Sequence, residues 1–283
     1  MRTIRYAAQR QALYHPERDS TLLTADASPQ LDALCAEMSR LAYRHFETDN
    51  AEADYVRRAV GCAGYDRTAF FSSGSSQAFA AANTAARSAI VAFRGTQSDD
   101  VRDLITDARF HPVRWPAGGM VHSGFADAAN ALLDHGVRTW LQEHAGWNLV
   151  HTGHSLGAAI ATLSASTAPP RHLVTFGSPR VGDESFAQTL DGTEVRRYVD
   201  CCDLVTRIPP PGAAYGHVGV LRYVDRRGIV GQVDDAEAID HDQDMGRLDY
   251  FHDYALVAGD VAIRDLADHA PANYVYALFG TPA

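Results

Sequence analysis

A serine between two glycines is the feature of this sequence best suited to covalent chemistry. It lies in the segment Gly153-His154-Ser155-Leu156-Gly157, which fits the pattern G-x-S-x-G. Residues 147–151 before it are typical of a buried strand, and the Ala-rich residues 156–167 after it are typical of a helix. A sharp turn between strand and helix lifts such a serine hydroxyl clear of the backbone, which suits a nucleophile. The competing interpretation is a glycine-flanked turn whose serine only caps the helix.

The elements around this turn alternate between short apolar runs and helical patterns. Strands are predicted at residues 88–93, 147–151, 172–176 and 194–199, and helices at 30–44, 123–144, 156–167, 248–266 and 271–279. Hairpins are predicted for 68–72 with 77–83 and for 218–224 with 229–233. Strands that alternate with helices favour an α/β fold with a mostly parallel central sheet flanked by helices.

The bulk composition is that of a globular protein. The chain has 283 residues, 46% of them hydrophobic, and a formal net charge of −10, without the basic patch of a nucleic-acid binder. We expect one domain over residues 1–283, with no cofactor, no metal, no secretion signal and no membrane-spanning helix. The four cysteines favour free thiols, and a Cys35–Cys62 bridge is the alternative.

Five segments carry a family resemblance: residues 90–96, 121–125, 153–163, 175–182 and 203–210. Together they resemble the class 3 lipase family of α/β-hydrolases, the group that contains fungal triacylglycerol lipases and feruloyl esterases. The resemblance covers roughly residues 88–279, and the N-terminal helical segment 1–60 matches only loosely. It implies an α/β-hydrolase fold.

The resemblance also implies a catalytic triad and an oxyanion hole. Ser155 would be the nucleophile, Asp203 the acid and His269 the base, in the chain order of α/β-hydrolases. The backbone N–H groups of Thr96 and Leu156 would hold the oxyanion. The alternatives are His252 or His217 as the base and Asp200 as the acid.

The implied activity is hydrolysis of lipid carboxylic esters. The alternatives are a phospholipase A1, a feruloyl-type esterase, or an inactive lipase-like binding module. Residues 97–119 take the place of the lid in the resembling lipases, and few of them are large and apolar. We expect a lipid or small ester substrate and a transient contact with a lipid surface. The acidic cluster at residues 240–244 is interpreted as a solvated loop rather than a cation site.

Overall fold

A seven-stranded sheet forms the centre of the protein, in the strand order β1-β2-β3-β6-β7-β8-β9. The computed structural model describes residues 4–26, 28–95, 111–212, 214–231, 233 and 235–282. The sheet strands are β1 Arg67–Ser73, β2 Ser76–Asn83, β3 Ser88–Phe93, β6 Asn148–His154, β7 His172–Phe176, β8 Glu194–Asp200 and β9 Val220–Val224. A separate two-stranded ribbon pairs β4 Pro112–Arg114 with β5 Met120–His122.

The pairing pattern confirms the expected sheet. Strands β3, β6, β7, β8 and β9 of this sheet run parallel, and its β1–β2 and β2–β3 pairs are antiparallel. The predicted hairpin formed by β1 and β2 is present, with residues 74 and 75 at its tip. Since the carboxyl ends of parallel strands meet at one edge of a sheet, that edge brings loops from several strands together.

Helices cover both faces of the sheet. In chain order they are α1 Arg10–Tyr14, α2 Leu31–Leu41, α3 Asn50–Cys62, α4 Ser123–Leu132, α5 Arg138–Glu143, α6 Leu156–Thr167, α7 Glu184–Ala187, α8 Ala236–Asp253, α9 Arg264–Ala267 and α10 Pro271–Phe279. One core packs α4 and α6 against the sheet, and the other packs α2, α3 and α10 against its opposite face. Alternate residues of β2 supply the two cores, Ala80 to the first and Phe79 to the second, as strand geometry requires.

A buried arginine fastens the N-terminal segment to the end of β3. Arg94 donates to the carbonyl groups of Ala42 and Arg44 and to both carboxylate oxygens of Glu47. Its guanidinium is almost fully buried, so these bonds replace the water that it loses. The loosely matching first 60 residues therefore pack directly beside the strand that leads to the predicted oxyanion segment.

Four predicted elements differ from the structure. The helix over 123–144 is interrupted, because His135 and Gly136 have non-helical backbone angles. The helix over 248–266 is wrong, since α8 ends at Asp253 and α9 begins only at Arg264. The hairpin over 218–233 is reduced to a single bridge between Val224 and Val230, and β9 instead pairs with β8. The acidic residues 240–244 belong to α8 and are not a loop.

The predicted lid over 97–119 lies only partly within the described residues. Positions 97–110 fall outside them. Positions 112–114 form β4, and the Trp115 ring is buried with its Nε1–H donating to Ser166 Oγ at 2.8 Å. The C-terminal part of this segment is thus anchored to helix α6. Among the described residues, no helix has both the length and the apolar character needed to cross a membrane.

Candidate active site

Three candidate residues from distant parts of the chain form one hydrogen-bonded line. Ser155 Oγ lies 2.8 Å from His269 Nε2, and His269 Nδ1 lies 2.9 Å from each carboxylate oxygen of Asp203. All three side chains are buried. Because an ionised carboxylate only accepts, Nδ1 carries the proton and Nε2 is free to accept the serine O–H. This is the arrangement that activates a serine hydroxyl.

The nucleophile turn has the strained backbone that the sequence predicts. Ser155 has φ 60° and ψ −129°, a backbone conformation that residues other than glycine rarely adopt. It sits between the last residue of β6 and the first residue of α6. At Gly157 an added Cβ would lie 2.2 Å from the carbonyl oxygen of Phe93. Only glycine lets the helix approach the end of β3 this closely.

The start of helix α6 supplies one of the two predicted oxyanion donors. Leu156 is the first residue of α6, so its N–H has no acceptor within the helix. Strand β3 lies beside β6 in a register that sets Phe93 opposite Gly153. The chain leaving β3 therefore emerges next to the nucleophile turn. Thr96, the other predicted donor, lies outside the described residues.

Comparison with known proteins shows what this chain is similar to. The family described as Lipase (class 3) matches residues 90–213. The lipase of Rhizomucor miehei is 35% identical over 145 residues, covering 46% of this chain and 39% of that protein. The solved structure of the R. miehei triacylglyceride lipase superimposes with a TM-score of 0.54 and 26% identity, covering 68% of this chain and 78% of that one. Over these ranges the chain is similar to class 3 lipases. The mostly parallel sheet flanked by helices, together with this superposition, gives the α/β-hydrolase fold.

Two further relatives differ in the activity that their names give. The chloroplastic phospholipase A(1) DAD1 of Arabidopsis thaliana is 32% identical over 152 residues, covering 44% of this chain and 34% of that protein. A triacylglycerol lipase whose catalytic centre is formed by a serine protease triad superimposes with a TM-score of 0.50 and 25% identity, covering 68% of this chain and 77% of that one. The matches thus span less than half the length of the curated relatives.

The candidate acid has partners that the sequence did not reveal. Tyr274 on α10 donates to Asp203 Oδ2 at 2.6 Å, and the Val205 N–H donates to Asp203 Oδ1 at 2.9 Å. Burial, and then the charge of Asp203, raise the pKa of Tyr274 well above its usual value, so the phenol remains a donor. Gly177 has φ 56°, and a Cβ there would lie 2.7 Å from Asp203 Oδ2. Its lack of a side chain leaves room for the acid beside β7.

A second histidine packs directly against the candidate base. The rings of His154 and His269 have centroids 4.5 Å apart, and His154 Nδ1 shares a hydrogen bond of 2.8 Å with the hydroxyl of Tyr43. Burial, followed by the nearby His269, lowers the pKa of His154 well below its usual value. His154 therefore stays neutral and acts as a packing surface for the His269 ring. Its position before Ser155 gave no signal of this contact.

The structure separates the rival candidates from the hydrogen-bonded line. The His252 side chain is 88% exposed at the end of α8, where it bonds to Asp253. His217 Nε2 donates to the carbonyl of Thr206 at 2.8 Å, and burial lowers its pKa to about 3. Asp200 is buried, but its carboxylate makes no hydrogen bond to a histidine within the described ranges. Among the candidates, His269 hydrogen-bonds to Ser155, and Asp203 hydrogen-bonds to His269.

The acidic cluster at 240–244 lies within helix α8, which buries one of its carboxylates and exposes the others. Asp242 is buried and accepts from the Tyr223 hydroxyl and from both the N–H and the guanidinium of Arg226. The residues at 240, 241 and 244 are exposed. The solvated-loop interpretation is therefore wrong for Asp242, which joins α8 to the turn after β9. Cys35 and Cys62 are free thiols, so the alternative bridge between them does not form.

Proposed function

We propose that this chain hydrolyses the carboxylic esters of lipids, as a triacylglycerol lipase or esterase. The observation that carries the proposal is the line of hydrogen bonds from Ser155 through His269 to Asp203. The lipase names of its relatives support a lipid ester as the substrate. The serine protease triad at the catalytic centre of one structural neighbour supports the three assigned roles.

Acylation would begin at the Ser155 hydroxyl. As its oxygen attacks the ester carbonyl, His269 takes the proton as general base. Asp203 holds the imidazole in the required tautomer and stabilises the imidazolium that forms. His269 then protonates the departing alcohol, and the acyl group remains on Ser155.

Deacylation would repeat the sequence with water as the nucleophile, activated by His269. In both steps the carbonyl oxygen gains negative charge in a site sheltered from solvent. The Leu156 N–H at the start of α6 would donate to that oxyanion, together with the predicted N–H of Thr96. One such donor contributes about 3–4 kcal/mol to the barrier in comparable sites.

A substrate panel distinguishes this proposal from its alternatives. We expect hydrolysis of nitrophenyl esters that extends to long acyl chains and of a triacylglycerol emulsion. Release of fatty acid from phosphatidylcholine without turnover of triacylglycerol would favour a phospholipase A1. Activity confined to acetate, butyrate or aromatic esters would refute the lipid assignment. Absence of all turnover, together with failure of a fluorophosphonate to label Ser155, would favour an inactive binding module.

An exposed apolar stretch suits the contact with a lipid surface. Most of the large apolar side chains exposed in the described residues lie between positions 248 and 263, including Phe251 at 66% and Leu256 at 87% exposure. Helix α8 contributes to this stretch and is tied to the carboxyl edge of the sheet, because Gln243 donates to the carbonyl of Cys201 just after β8. Helix α8 therefore connects this stretch to the turn that follows β8. The formal net charge of −10 favours neutral over anionic lipid.

Replacing Phe251 and Leu256 together by serine tests this surface. We expect the double variant to bind phosphatidylcholine vesicles at least about 5-fold more weakly, since two large side chains would no longer leave water. Hydrolysis of a soluble short-chain ester should stay within about 2-fold of wild type, because surface changes rarely disturb the fold. Val220→Ser is the matched control. Val220 is 59% exposed, and as the first residue of β9 it lies at the end of the strand away from the carboxyl edge of the sheet. Equal vesicle binding by both variants would refute the assigned surface.

A further inference from the structure

The residue before the candidate base is a fully buried carboxylate. Asp268 lies at the end of α9 and is 0% exposed. We propose that Asp268 is a positioning residue, which fixes the segment carrying His269 against the turn carrying Asp203. The inference rests on the proposed function, since it assigns Asp268 a part in aligning the same triad.

Three donors from three parts of the chain converge on this carboxylate. The Tyr6 hydroxyl donates to Oδ1 at 2.6 Å. The Cys202 N–H donates to Oδ2 at 2.9 Å, and Arg264 Nε donates to the same oxygen at 3.0 Å. The N-terminal segment, the acid turn and α9 therefore meet at one side chain.

The contact between Asp268 and Cys202 matters most for the site, because each of these residues immediately precedes a residue of the candidate triad. Cys202 immediately precedes Asp203, and Asp268 immediately precedes His269. A hydrogen bond of 2.9 Å thus links the two segments one residue before the 2.9 Å bonds between His269 and Asp203. The two segments are held together at consecutive positions. Movement of one relative to the other must break both contacts.

The cation in this cluster is itself held rigidly. Arg264 donates from Nη1 to the carbonyl of Gly246 and from Nη2 to the carbonyl of Arg226, each at 2.9 Å. Its guanidinium therefore has fixed partners on α8 and on the turn after β9. A buried arginine with an acceptor for each of its three nitrogens is a stable counter-ion for Asp268.

A second buried carboxyl beside the cluster carries the proton. Burial, and next the charge of Asp268, raise the pKa of Asp200 well above its usual value. Burial raises the pKa of Asp268 as well, but the charge of Arg264 and the hydrogen bonds from Tyr6 and Cys202 limit that rise. We therefore assign the negative charge to Asp268 and the proton to Asp200. The ionised Asp268 can accept all three hydrogen bonds.

The same atoms do not suit a metal ion. The potential ligand atoms of Cys201, Cys202 and Asp268 lie within 4.8 Å of one another. Both carboxylate oxygens of Asp268, however, already accept hydrogen bonds, and one of them pairs with Arg264. A metal cation would have to displace that guanidinium from a buried position. The geometry fits a carboxylate that holds three segments together by hydrogen bonds better than it fits a cation site.

Asp268→Asn tests the proposal, with Asp265→Asn as the matched control. An amide offers one oxygen to three donors, so the bond to Cys202 or Tyr6 is lost. Asp265 lies on the same short helix, but its carboxylate pairs with Arg247 on α8 and not with the acid turn. We expect Asp268→Asn to lower kcat by about 10²-fold with little change in KM, as for a misaligned catalytic group. Asp265→Asn should retain the wild-type kcat within about 2-fold.

Active-site titration with a fluorophosphonate separates alignment from folding. In Asp268→Asn we expect every folded chain to react at Ser155, but more slowly than wild type. A smaller reactive fraction with the wild-type rate per reactive site would overturn the proposal, because that result indicates only lost stability. If Asp268→Asn does not fold, Tyr6→Phe removes a single hydrogen bond, and a wild-type kcat in that variant would overturn it. A wild-type chain that does not react would overturn the proposed function, and this inference with it.

Discussion

Replacing Ser155 with alanine is expected to lower kcat for a soluble nitrophenyl ester by about 10⁴- to 10⁶-fold. The loss is this large because the triad acts as a unit: without the hydroxyl, His269 has no nucleophile to activate. The free energy of unfolding should change little, since the side chain removed is small and its neighbours remain. Turnover measured beside a denaturant titration checks both expectations.

Ser164→Ala provides the matched control for this experiment. Ser164 is buried like Ser155 but lies within helix α6. Its hydroxyl has no hydrogen-bond partner within the described ranges. Its removal should leave kcat within about 2-fold of wild type, because surrounding contacts are unchanged. Substantial ester hydrolysis by purified Ser155→Ala would show that another group is the nucleophile.

Replacing Gly157 with alanine is expected to destabilise the protein by about 3 kcal/mol or more, or to prevent folding. The added Cβ would lie 2.2 Å from the carbonyl oxygen of Phe93 and 2.7 Å from the carbonyl carbon of Arg94. Both are backbone atoms of a buried strand and its end, so neither can move aside without separating α6 from β3. The midpoint of denaturant unfolding measures the effect.

Gly61→Ala is the corresponding control within a helix. Gly61 lies in α3, and a Cβ built there meets nothing within 4 Å. Alanine should therefore raise the free energy of unfolding by about 0.5–1 kcal/mol, since it restricts the unfolded chain. An equal midpoint for Gly157→Ala and wild type would contradict the close packing of the nucleophile turn.

The central part of the fold was predictable because its signals are local. Strands β3, β6 and β7 are short apolar runs, and the run of small residues in α6 has few alternatives to a buried helix. The family resemblance supplied the long-range pairing of Ser155 with His269 and Asp203. Spacing alone would have left His252 open.

The first part of helix α8, residues 236–247, was missed because the buried face of the helix does not look apolar. The residues it buries are Asp242, Gly246 and Tyr250, at intervals of four, while Leu248 and Phe251 face solvent. A buried aspartate is stable there only because Arg226 and Tyr223 meet it from another part of the chain. Tyr274 and Asp268 were missed for the same reason: each contributes through a partner distant in sequence. The role of Thr96 stays a prediction.

The rate at which a fluorophosphonate labels Ser155 tests the triad most directly, when His269→Ala and His252→Ala are compared with wild type by mass spectrometry. The proposed mechanism predicts labelling about 10²- to 10⁴-fold slower in His269→Ala, because the general base is removed. His252→Ala should react at the wild-type rate, since its side chain lies in solvent. Wild-type labelling in His269→Ala, with slow labelling in His252→Ala, would contradict the assignment of His269 as the base.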